Sequence, residues 1–322
     1  MTPYVVIFSA VVLLVFIYFT GCYFVARYAM KRKRTRTRQD YEKILHNDTL
    51  SEDVRCRAER IIKRIDALSK LTSKVYSIKS FDGLELKMYY APCKKDTDTA
   101  VLLVHGYDSD AHTAFGTIAE HYVSKGFDVF VIDQRACGES EGTCVSFGIN
   151  ESRDVVSWYK FIKENFPSLK KIFLHGISLG GATVLLSLKD HELSHSVSCV
   201  VADCGFDSPE RILDHVLKNY YHLPSFMRKT VIFFCGRICK CDFRGINTED
   251  ILKNCDVPIL FLHGDLDTYV PYDMSVSNFN ASKRPFELYT VKGARHAGCF
   301  TVDEQGSYSA VDRLLNYALK KD

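Results

Sequence analysis

The sequence predicts an α/β protein with a mostly parallel central sheet, helices on both faces, a small helical lid and one N-terminal transmembrane helix. Three observations predict it. Short runs rich in Val, Ile, Leu and Phe alternate with longer amphipathic stretches from about residue 100 onward, as in a sheet that helices cover on both faces. An uncharged apolar segment lies near the start of the chain, and a strand, a sharp turn and a helix surround Ser178.

The apolar segment from Tyr4 to Ala26 contains no charged residue and is long enough, as a helix, to cross about 30 Å of hydrocarbon. The alternatives are a cleaved signal peptide and a buried core helix. Because Met1-Thr2-Pro3 carries no basic residue, a retained span is favoured over a signal peptide. We therefore expect residues 1–38 to form a transmembrane anchor with a basic flank.

The flank that follows the apolar segment carries seven basic residues before the first acid, Asp40; they are Arg27, Lys31, Arg32, Lys33, Arg34, Arg36 and Arg38. By the positive-inside rule this flank stays in the cytoplasm, which predicts a single-pass protein of the cell membrane with the body of the chain on the cytoplasmic side.

The distribution of charge along the chain bears on whether the basic flank binds lipid or nucleic acid. The whole chain has a net charge of +3, so the remainder, 39–322, carries −4. A negative body gives no electrostatic sign of nucleic-acid binding. Basic residues next to a span instead favour anionic lipid headgroups as partners over a nuclear or nucleic-acid tail.

The chain's 12 cysteines are scattered over a large sequence, and reduced thiols fit a cytoplasmic domain. The tightest group is Cys235, Cys239 and Cys241. It lacks the paired spacing of a structural zinc site, which favours packing in the core or lid over metal binding. We expect neither a metal nor an organic cofactor.

The body divides by its pattern into a helical connector over 39–73 and a domain over 74–322. A hairpin, Lys74–Lys79 and Leu84–Tyr90, turns at Asp82-Gly83. Further strands are predicted at Ala100–Val104, Phe127–Ile132, Ile172–Leu174, Val197–Ala202, Pro258–Leu262 and Phe286–Val291. Helices are predicted near Thr113–Lys125, Glu151–Phe166 with a cap at Asn150, Leu179–Leu188, Pro209–Tyr220, Asp273–Ala281 and Asp303–Leu319. A helical lid is expected at about 206–255, with an aromatic content that suits either an acyl pocket or a small core of its own.

The stretch Gly176-Ile177-Ser178-Leu179-Gly180 has the pattern of a nucleophile elbow. In such an elbow the serine sits on a strained turn, and its neighbours must have almost no side chain because strand and helix pass close together. The elbow glycines are Gly176 and Gly180. The alternative is an ordinary helix N-terminus with Ser178 as its cap.

Serine needs a base to take its proton and an acid to hold that base, and both candidates follow later strands. The strand Pro258–Leu262 runs into a loop with two carboxylates, Asp265 and Asp267. The last strand is followed by His296 on a loop of small residues. The order along the chain is therefore Ser, Asp, His.

That order resembles the α/β-hydrolases, and over about residues 74–320 the chain is similar to the bacterial serine-aminopeptidase-like group, several of which carry an N-terminal membrane segment. Asp265-Leu266-Asp267-Thr268-Tyr269-Val270-Pro271 and Gly293-Ala294-Arg295-His296 resemble the acid and histidine loops of that group. The resemblance implies the α/β-hydrolase fold. It places the acid three residues before Val-Pro, which selects Asp267, with Asp265 as the alternative.

The oxyanion hole needs two backbone N–H groups aimed at the developing charge. One is expected from Leu179, which follows the nucleophile. His105-Gly106-Tyr107 resembles the family's His-Gly-x loop and implies Tyr107 N–H as the second, with His105 structural. Asp133-Gln134-Arg135-Ala136-Cys137-Gly138-Glu139-Ser140 resembles a family turn in which glycine is usual at the position of Ala136.

Three functional hypotheses follow. The first is a membrane-anchored serine hydrolase that cleaves an ester, thioester or amide, with carboxylester or acyl-lipid substrates favoured because the anchor keeps the pocket near the bilayer. The second is an aminopeptidase or amidase of the same fold. The third is a non-catalytic scaffold that binds a lipid or partner through the lid and the basic flank. The fold alone does not select a substrate.

Overall fold

A computed structural model describes residues 3–320. Its strands are β1 Lys74–Lys79, β2 Glu85–Ala91, β3 Thr99–Val104, β4 Asp128–Asp133, β5 Lys171–Ile177, β6 Val197–Asp203, β7 Ile259–Gly264 and β8 Pro285–Val291. Its helices are α1 Pro3–Met30, α2 Arg38–Leu45, α3 Glu52–Leu71, α4 Ala111–Ser124, α5 Ile149–Asn165, α6 Leu179–Ser187, α7 His191–Ser196, α8 Pro209–Asn219, α9 Ser225–Cys239, α10 Glu249–Leu252, α11 Tyr272–Ala281, α12 Cys299–Val302 and α13 Glu304–Leu319.

The strands of this range form one 8-stranded sheet in the order β1-β2-β4-β3-β5-β6-β7-β8. Strand β2 pairs antiparallel with β1 and β4, and every other pairing is parallel. The prediction of a mostly parallel sheet is confirmed. The chain passes from β3 outward to β4 and then back across to β5, so a crevice lies at the carboxyl ends of β3 and β5, where open α/β sheets bind ligands.

Apolar side chains fill both faces of the sheet. Phe115 and Tyr122 of α4 and Leu314 of α13 pack on one face. Trp158 of α5 and Val184 of α6 pack on the other. These interior strands therefore read as continuous apolar runs, because neither of their faces meets water.

Helix α5 begins differently from the prediction. The expected cap at Asn150 is wrong, because Asn150 lies inside the helix and Gly148 holds the N-cap position with φ 89°. The Glu151 carboxylate accepts hydrogen bonds from the N–H groups of Ser146, at 2.7 Å, and Gly148, at 2.9 Å, and so caps the first turn. The Asn150 amide is free to donate to the carbonyl of Cys239, at 3.0 Å, which ties α5 to α9.

The segment 39–73 is helical and lies against the sheet-bearing body. Helix α3 packs on α4 so closely that a Cβ at Gly116 would lie 1.8 Å from the carbonyl oxygen of Arg64. Only glycine permits two helix backbones to approach this far. Helix α3 is therefore part of the body's outer layer.

Helix α1 is, among the described residues, the one helix long and apolar enough to cross a membrane. Its 28 residues span about 42 Å. Most of its first five turns is exposed, whereas Cys22, Ala26 and Met30 near its end are buried against the body. The chain then pairs with the loop after β4, because Val145 N–H donates to the Met30 carbonyl and Arg32 N–H to that of Thr143, both at 2.9 Å.

The segment between β6 and β7 contains α8, α9 and α10, in the place of the expected helical lid. Helix α9 packs along α1, where the ring of Phe234 meets the rings of Phe19 and Tyr23 edge-on. Phe226 and Phe233 of α9 remain exposed on the same side of the molecule as the free part of α1. The lid and the apolar N-terminal helix thus share one packed interface.

Candidate active site

Ser178 stands on the sharp turn between β5 and α6. Its backbone has φ 57° and ψ −118°, a conformation that non-glycine residues rarely adopt. A Cβ at Gly176 would lie 2.1 Å from the Gly180 carbonyl oxygen, and a Cβ at Gly180 would lie 1.8 Å from that of Val104. The two elbow glycines are therefore required by backbone contacts on both sides of the serine.

Three side chains that are far apart in the sequence meet at this turn. The Ser178 hydroxyl donates to Nε2 of His296 at 2.8 Å, and Nδ1 of His296 donates to Oδ2 of Asp267 at 2.7 Å. Ser178 is 7% exposed, and the Asp267 side chain is fully buried. The arrangement gives the serine a base within hydrogen-bond reach and gives that base a carboxylate on its far side.

Asp267 is held from several directions. Its Oδ1 accepts the N–H groups of Tyr269 and Val270, at 2.9 and 3.0 Å, and its Oδ2 accepts a second imidazole, Nε2 of His263, at 3.1 Å. Burial by itself raises the pKa of Asp267, but the hydrogen bonds from His263 and His296 outweigh burial and hold that pKa below its ordinary value. The carboxylate is therefore ionised at neutral pH.

His263 is a residue of this site that the sequence interpretation missed. It ends strand β7, is fully buried, and accepts the Ser275 hydroxyl at 2.6 Å on its Nδ1. Its spacing of four residues before Asp267 was the available signal. A histidine at the end of a buried strand, followed by a glycine and two carboxylates, places its ring against the loop that it precedes.

The alternative acid, Asp265, lies elsewhere. It is exposed, and its Oδ1 accepts the N–H of Gly293 at 2.7 Å, which joins the acid loop to the histidine loop. Of the two carboxylates that the sequence left open, the structure brings Asp267 to His296.

The two residues expected to supply the oxyanion hole, Leu179 and Tyr107, lie next to the serine in sequence or on the loop that contacts it. Leu179 is the first residue of α6, where an N–H has no acceptor within the helix. Gly106 lies against the serine, because a Cβ there would be 3.3 Å from Ser178 Cβ, and Tyr107 follows it. The Tyr107 hydroxyl donates to the Ala29 carbonyl at 2.9 Å, a contact between this loop and the end of α1 that the sequence did not indicate.

Comparison with known proteins agrees with the fold described above. A family model described as the alpha/beta hydrolase fold matches residues 99–237. The esterase Pf2001 of Pyrococcus furiosus superposes with a TM-score of 0.64 at 23% identity, covering 78% of this chain and 94% of the esterase. The chain has the α/β-hydrolase fold.

Two further similarities extend over most of the chain. The uncharacterized protein YqkD of Bacillus subtilis is 24% identical over 267 residues, which is 80% of this chain and 87% of YqkD. A bacterial membrane phospholipase A, described as a virulence factor, superposes with a TM-score of 0.57 at 16% identity, covering 82% of this chain and 92% of the phospholipase. The α/β-hydrolase fold is thus shared with an esterase and a phospholipase.

The turn after β4 supports the α/β-hydrolase site without touching the serine. Asp133 accepts the N–H groups of Ala111 and Glu139, at 2.9 and 2.8 Å, and a Cβ at Gly138 would lie 2.0 Å from the Asp133 carboxylate. His105 is buried, and its Nε2 accepts the Gln134 N–H at 3.0 Å. These contacts agree with the structural role expected of His105.

Ala136 occupies a position that favours glycine, with φ 59°. Because a Cβ in this region costs about 1 kcal/mol, we expect Ala136→Gly to raise the free energy of unfolding by up to about 1 kcal/mol and leave the triad in place. Denaturant unfolding of the two proteins measures the change. Ala182→Gly, which removes a buried methyl group from a helix with ordinary backbone angles, should be destabilising instead.

A second carboxylate and a thiol lie beneath the triad and were also missed. Asp203 ends strand β6 fully buried, and burial raises its pKa to about 6. Within residues 3–320 one place gathers three side chains of metal-ligating type: Cys204, Asp267 and His296, with ligand atoms within 4.8 Å of one another. Asp267 and His296 are engaged in the hydrogen bonds described above, and burial raises the pKa of the Cys204 thiol well above its usual value, which disfavours the thiolate that a metal requires.

An apolar cluster surrounds the nucleophile. It contains Leu179 beside the serine, Phe147 and Phe206 from neighbouring loops, and Val270 from the acid loop. The same cluster continues without interruption into the lid helices and to Met30 of α1. The residues packed around Leu179, next to the serine, are therefore mostly apolar.

Proposed function

We propose that this protein is a membrane-anchored serine hydrolase that cleaves an ester, thioester or amide through an acyl-enzyme intermediate. The observation that carries the proposal is the hydrogen-bonded relay from Ser178 through His296 to Asp267, built on a strained turn at the crevice of an α/β-hydrolase fold. The strained backbone at Ser178 lowers the stability of the fold, and strain of this kind persists mainly at functional sites. A strained turn that holds a serine hydroxyl against an imidazole therefore supports a nucleophilic role for that serine.

The chemistry follows from this geometry. His296 takes the proton from Ser178 as the hydroxyl oxygen attacks the carbonyl carbon, and Asp267 stabilises the imidazolium that forms. The N–H groups of Leu179 and Tyr107 receive the charge on the carbonyl oxygen. His296 then protonates the leaving group, water attacks the acyl-enzyme with His296 as its base, and Ser178 is restored.

Carboxylesters or acyl lipids are the favoured substrates. The apolar cluster that begins at Leu179 suits an acyl chain, and its continuation to Met30 leads toward the end of the anchor. Similarity to an esterase and to a membrane phospholipase A supports this class over the aminopeptidase alternative. Of the carboxylates described at the site, Asp267 is engaged by His296 and His263 and Asp203 is fully buried, so neither is offered to a peptide's amino terminus.

We place the protein in the cell membrane with α1 as a single span and the catalytic domain in the cytoplasm. Seven basic residues at and after the end of α1, with no acid before Asp40, support this orientation. A yeast protein with 29% identity over 153 residues, 47% of this chain and 47% of the relative, is described as a membrane protein, which supports the anchoring.

A fluorophosphonate probe tests the proposed hydrolase. Wild-type protein in detergent should be labelled covalently, and Ser178→Ala and His296→Ala should abolish labelling because one lacks the nucleophile and the other its base. Ser157→Ala, which removes an exposed hydroxyl from α5, is the matched control and should label like the wild type. Labelling that persists in Ser178→Ala would contradict the proposal.

The same preparations separate the substrate classes. Turnover of p-nitrophenyl esters of increasing chain length should exceed turnover of aminoacyl amides. The reverse order would favour the aminopeptidase or amidase alternative, and labelling of neither wild type nor control would favour the non-catalytic scaffold.

A further inference from the structure

A groove opens where the end of α1, the turn at Gly142–Cys144 and the last turn of α9 meet. Its volume is about 710 Å³. Five of its lining residues are basic and none is acidic; the basic ones are Arg27, Lys31, Arg32, Lys33 and Arg34. We call it the juxtamembrane groove.

Most of the positive charge in this groove is not neutralised by protein groups. The Arg32 guanidinium donates to the carbonyls of Gly138 and Ser140, at 2.6 and 2.8 Å, and the Lys33 ammonium lies 4.4 Å from the ring centre of Tyr28. These partners are uncharged, so they fix the two cations in place without cancelling their charge. Among the described residues, Arg34 is the one cation of the five with a carboxylate partner, Asp40 at 3.4 Å.

Arg27 and Lys31 are exposed, and within residues 3–320 neither forms an ion pair. Lys31 is nevertheless held in position, because its backbone pairs with Cys144. Four of the five cations in the groove have no carboxylate partner among the described residues, and such a concentration of unpaired positive charge is a site for an anion.

The remaining walls are apolar and point to an amphipathic ligand. Tyr23 of α1 and Ile238 of α9 line the groove on the side of the free part of α1. Above them lie the exposed apolar side chains of the two helices, among them Phe16, Phe19 and Phe233. If α1 crosses a bilayer, the five cations stand at the level of the headgroups and this wall stands at the hydrocarbon.

We propose that the juxtamembrane groove binds the phosphodiester headgroup of one anionic lipid, whose acyl chains lie along α1 and α9. The inference rests on the membrane anchoring proposed above and is independent of the serine chemistry. Free phosphate would use the cations but not the apolar wall. A lipid in this position contacts the anchor, the turn after β4 and the lid helix at once, and so holds the lid against the bilayer.

Two native thiols provide a direct test. Cys144 lines the groove and is half-buried, whereas Cys93 is half-buried in the loop before β3, at the opposite end of the parallel strands. We expect maleimide labelling of Cys144, followed by mass spectrometry, to slow severalfold when the full chain is moved from phosphatidylcholine vesicles into vesicles that also contain phosphatidylglycerol. Labelling of Cys93 should not change. Each thiol is compared with its own rate in phosphatidylcholine.

Charge variants identify the groove. Arg27→Gln with Lys31→Gln should raise the phosphatidylglycerol content needed for half-maximal protection of Cys144 about 25-fold, at about fivefold for each charge removed near a membrane surface. Lys94→Gln with Lys95→Gln removes the same charge from the exposed loop before β3 and should leave protection intact. Equal protection in the two double variants would overturn the site.

A third arm separates the sources of phosphate. Inorganic phosphate added to phosphatidylcholine vesicles should give no protection, and protection equal to that by phosphatidylglycerol would overturn a lipid as the occupant. Fluorophosphonate labelling of Ser178 is measured in the same samples. Labelling without Cys144 protection contradicts the lipid site alone, and protection without labelling contradicts the hydrolase alone.

Discussion

Asp267→Asn is expected to lower kcat about 10⁴-fold, while Asp265→Asn lowers it by no more than a few-fold. An amide at position 267 removes the negative charge that stabilises the His296 imidazolium, and it can turn an N–H₂ toward Nδ1 and favour the wrong tautomer of that ring. Asp265 carries a carboxylate of the same kind only two residues away, but its Oδ1 accepts the Gly293 N–H and does not reach the histidine. Steady-state turnover of a short p-nitrophenyl ester measures both changes.

The pair of variants is its own control, since both remove one charge from the same loop. The His263 and His296 hydrogen bonds hold the pKa of Asp267 below its ordinary value, so the wild-type carboxylate stays ionised through neutral pH. The deficit of Asp267→Asn should therefore persist across the neutral range. A larger loss in Asp265→Asn than in Asp267→Asn would mean that the assignment of the acid is reversed.

The sequence predicted those parts of the site in which the local backbone geometry permits only certain residue types. An elbow leaves no space for a Cβ on either side of its serine, so Gly176 and Gly180 stand at fixed spacing around Ser178 and can be recognised without coordinates. The loops after two later strands are also recognisable, because parallel strands bring their carboxyl ends to one edge of the sheet. Residues far apart in the chain were thus expected to meet.

The parts that were missed depend on contacts between distant segments with no pattern of their own. The signal for the second imidazole on Asp267, a histidine four residues before it, is weak, because most histidines near the end of a buried strand are simply buried. The bond from the Tyr107 hydroxyl to the Ala29 carbonyl joins a loop to the end of a helix 78 residues earlier. The cap of α5 was misassigned because Glu151, one residue beyond Asn150, supplies the carboxylate that accepts the free N–H groups.

The packing of α1 against α9 changes the expected relation between the apolar N-terminal segment and the rest of the chain. From the sequence, residues 39–73 are expected to form a helical connector between a membrane anchor with a basic flank, residues 1–38, and the hydrolase domain. In the structure Met30 and Arg32 pair with the loop after β4, and the last turns of α1 are buried in the same apolar cluster as Leu179. A helix that crosses the bilayer would therefore hold the elbow at a defined distance from the membrane surface.

The largest expected loss of stability comes from Gly180→Ala. A Cβ at this position would lie 1.8 Å from the Val104 carbonyl oxygen and 2.6 Å from that of His105. Both are backbone atoms at the carboxyl end of a central strand, so relief requires α6 to move away from β3. We expect the free energy of unfolding to fall by at least about 3 kcal/mol, and thermal unfolding to shift down by roughly 10 °C, or the variant to fail to fold.

Two further alanine variants keep this prediction open to refutation even if Gly180→Ala does not fold. At Gly181 a Cβ would lie 3.0 Å from the Asp203 carbonyl oxygen, so the loss should be smaller because a shift of a few tenths of an ångström relieves it. At Gly245 a Cβ would meet open space, and the cost should be about 1 kcal/mol from its φ of +69° alone. Thermal unfolding of the detergent-solubilised proteins should rank Gly180→Ala as the most destabilised. If Gly180→Ala instead unfolds at the same temperature as Gly245→Ala, the close approach of α6 to β3 that shapes the elbow is wrong, and with it the strained geometry from which the nucleophile was inferred.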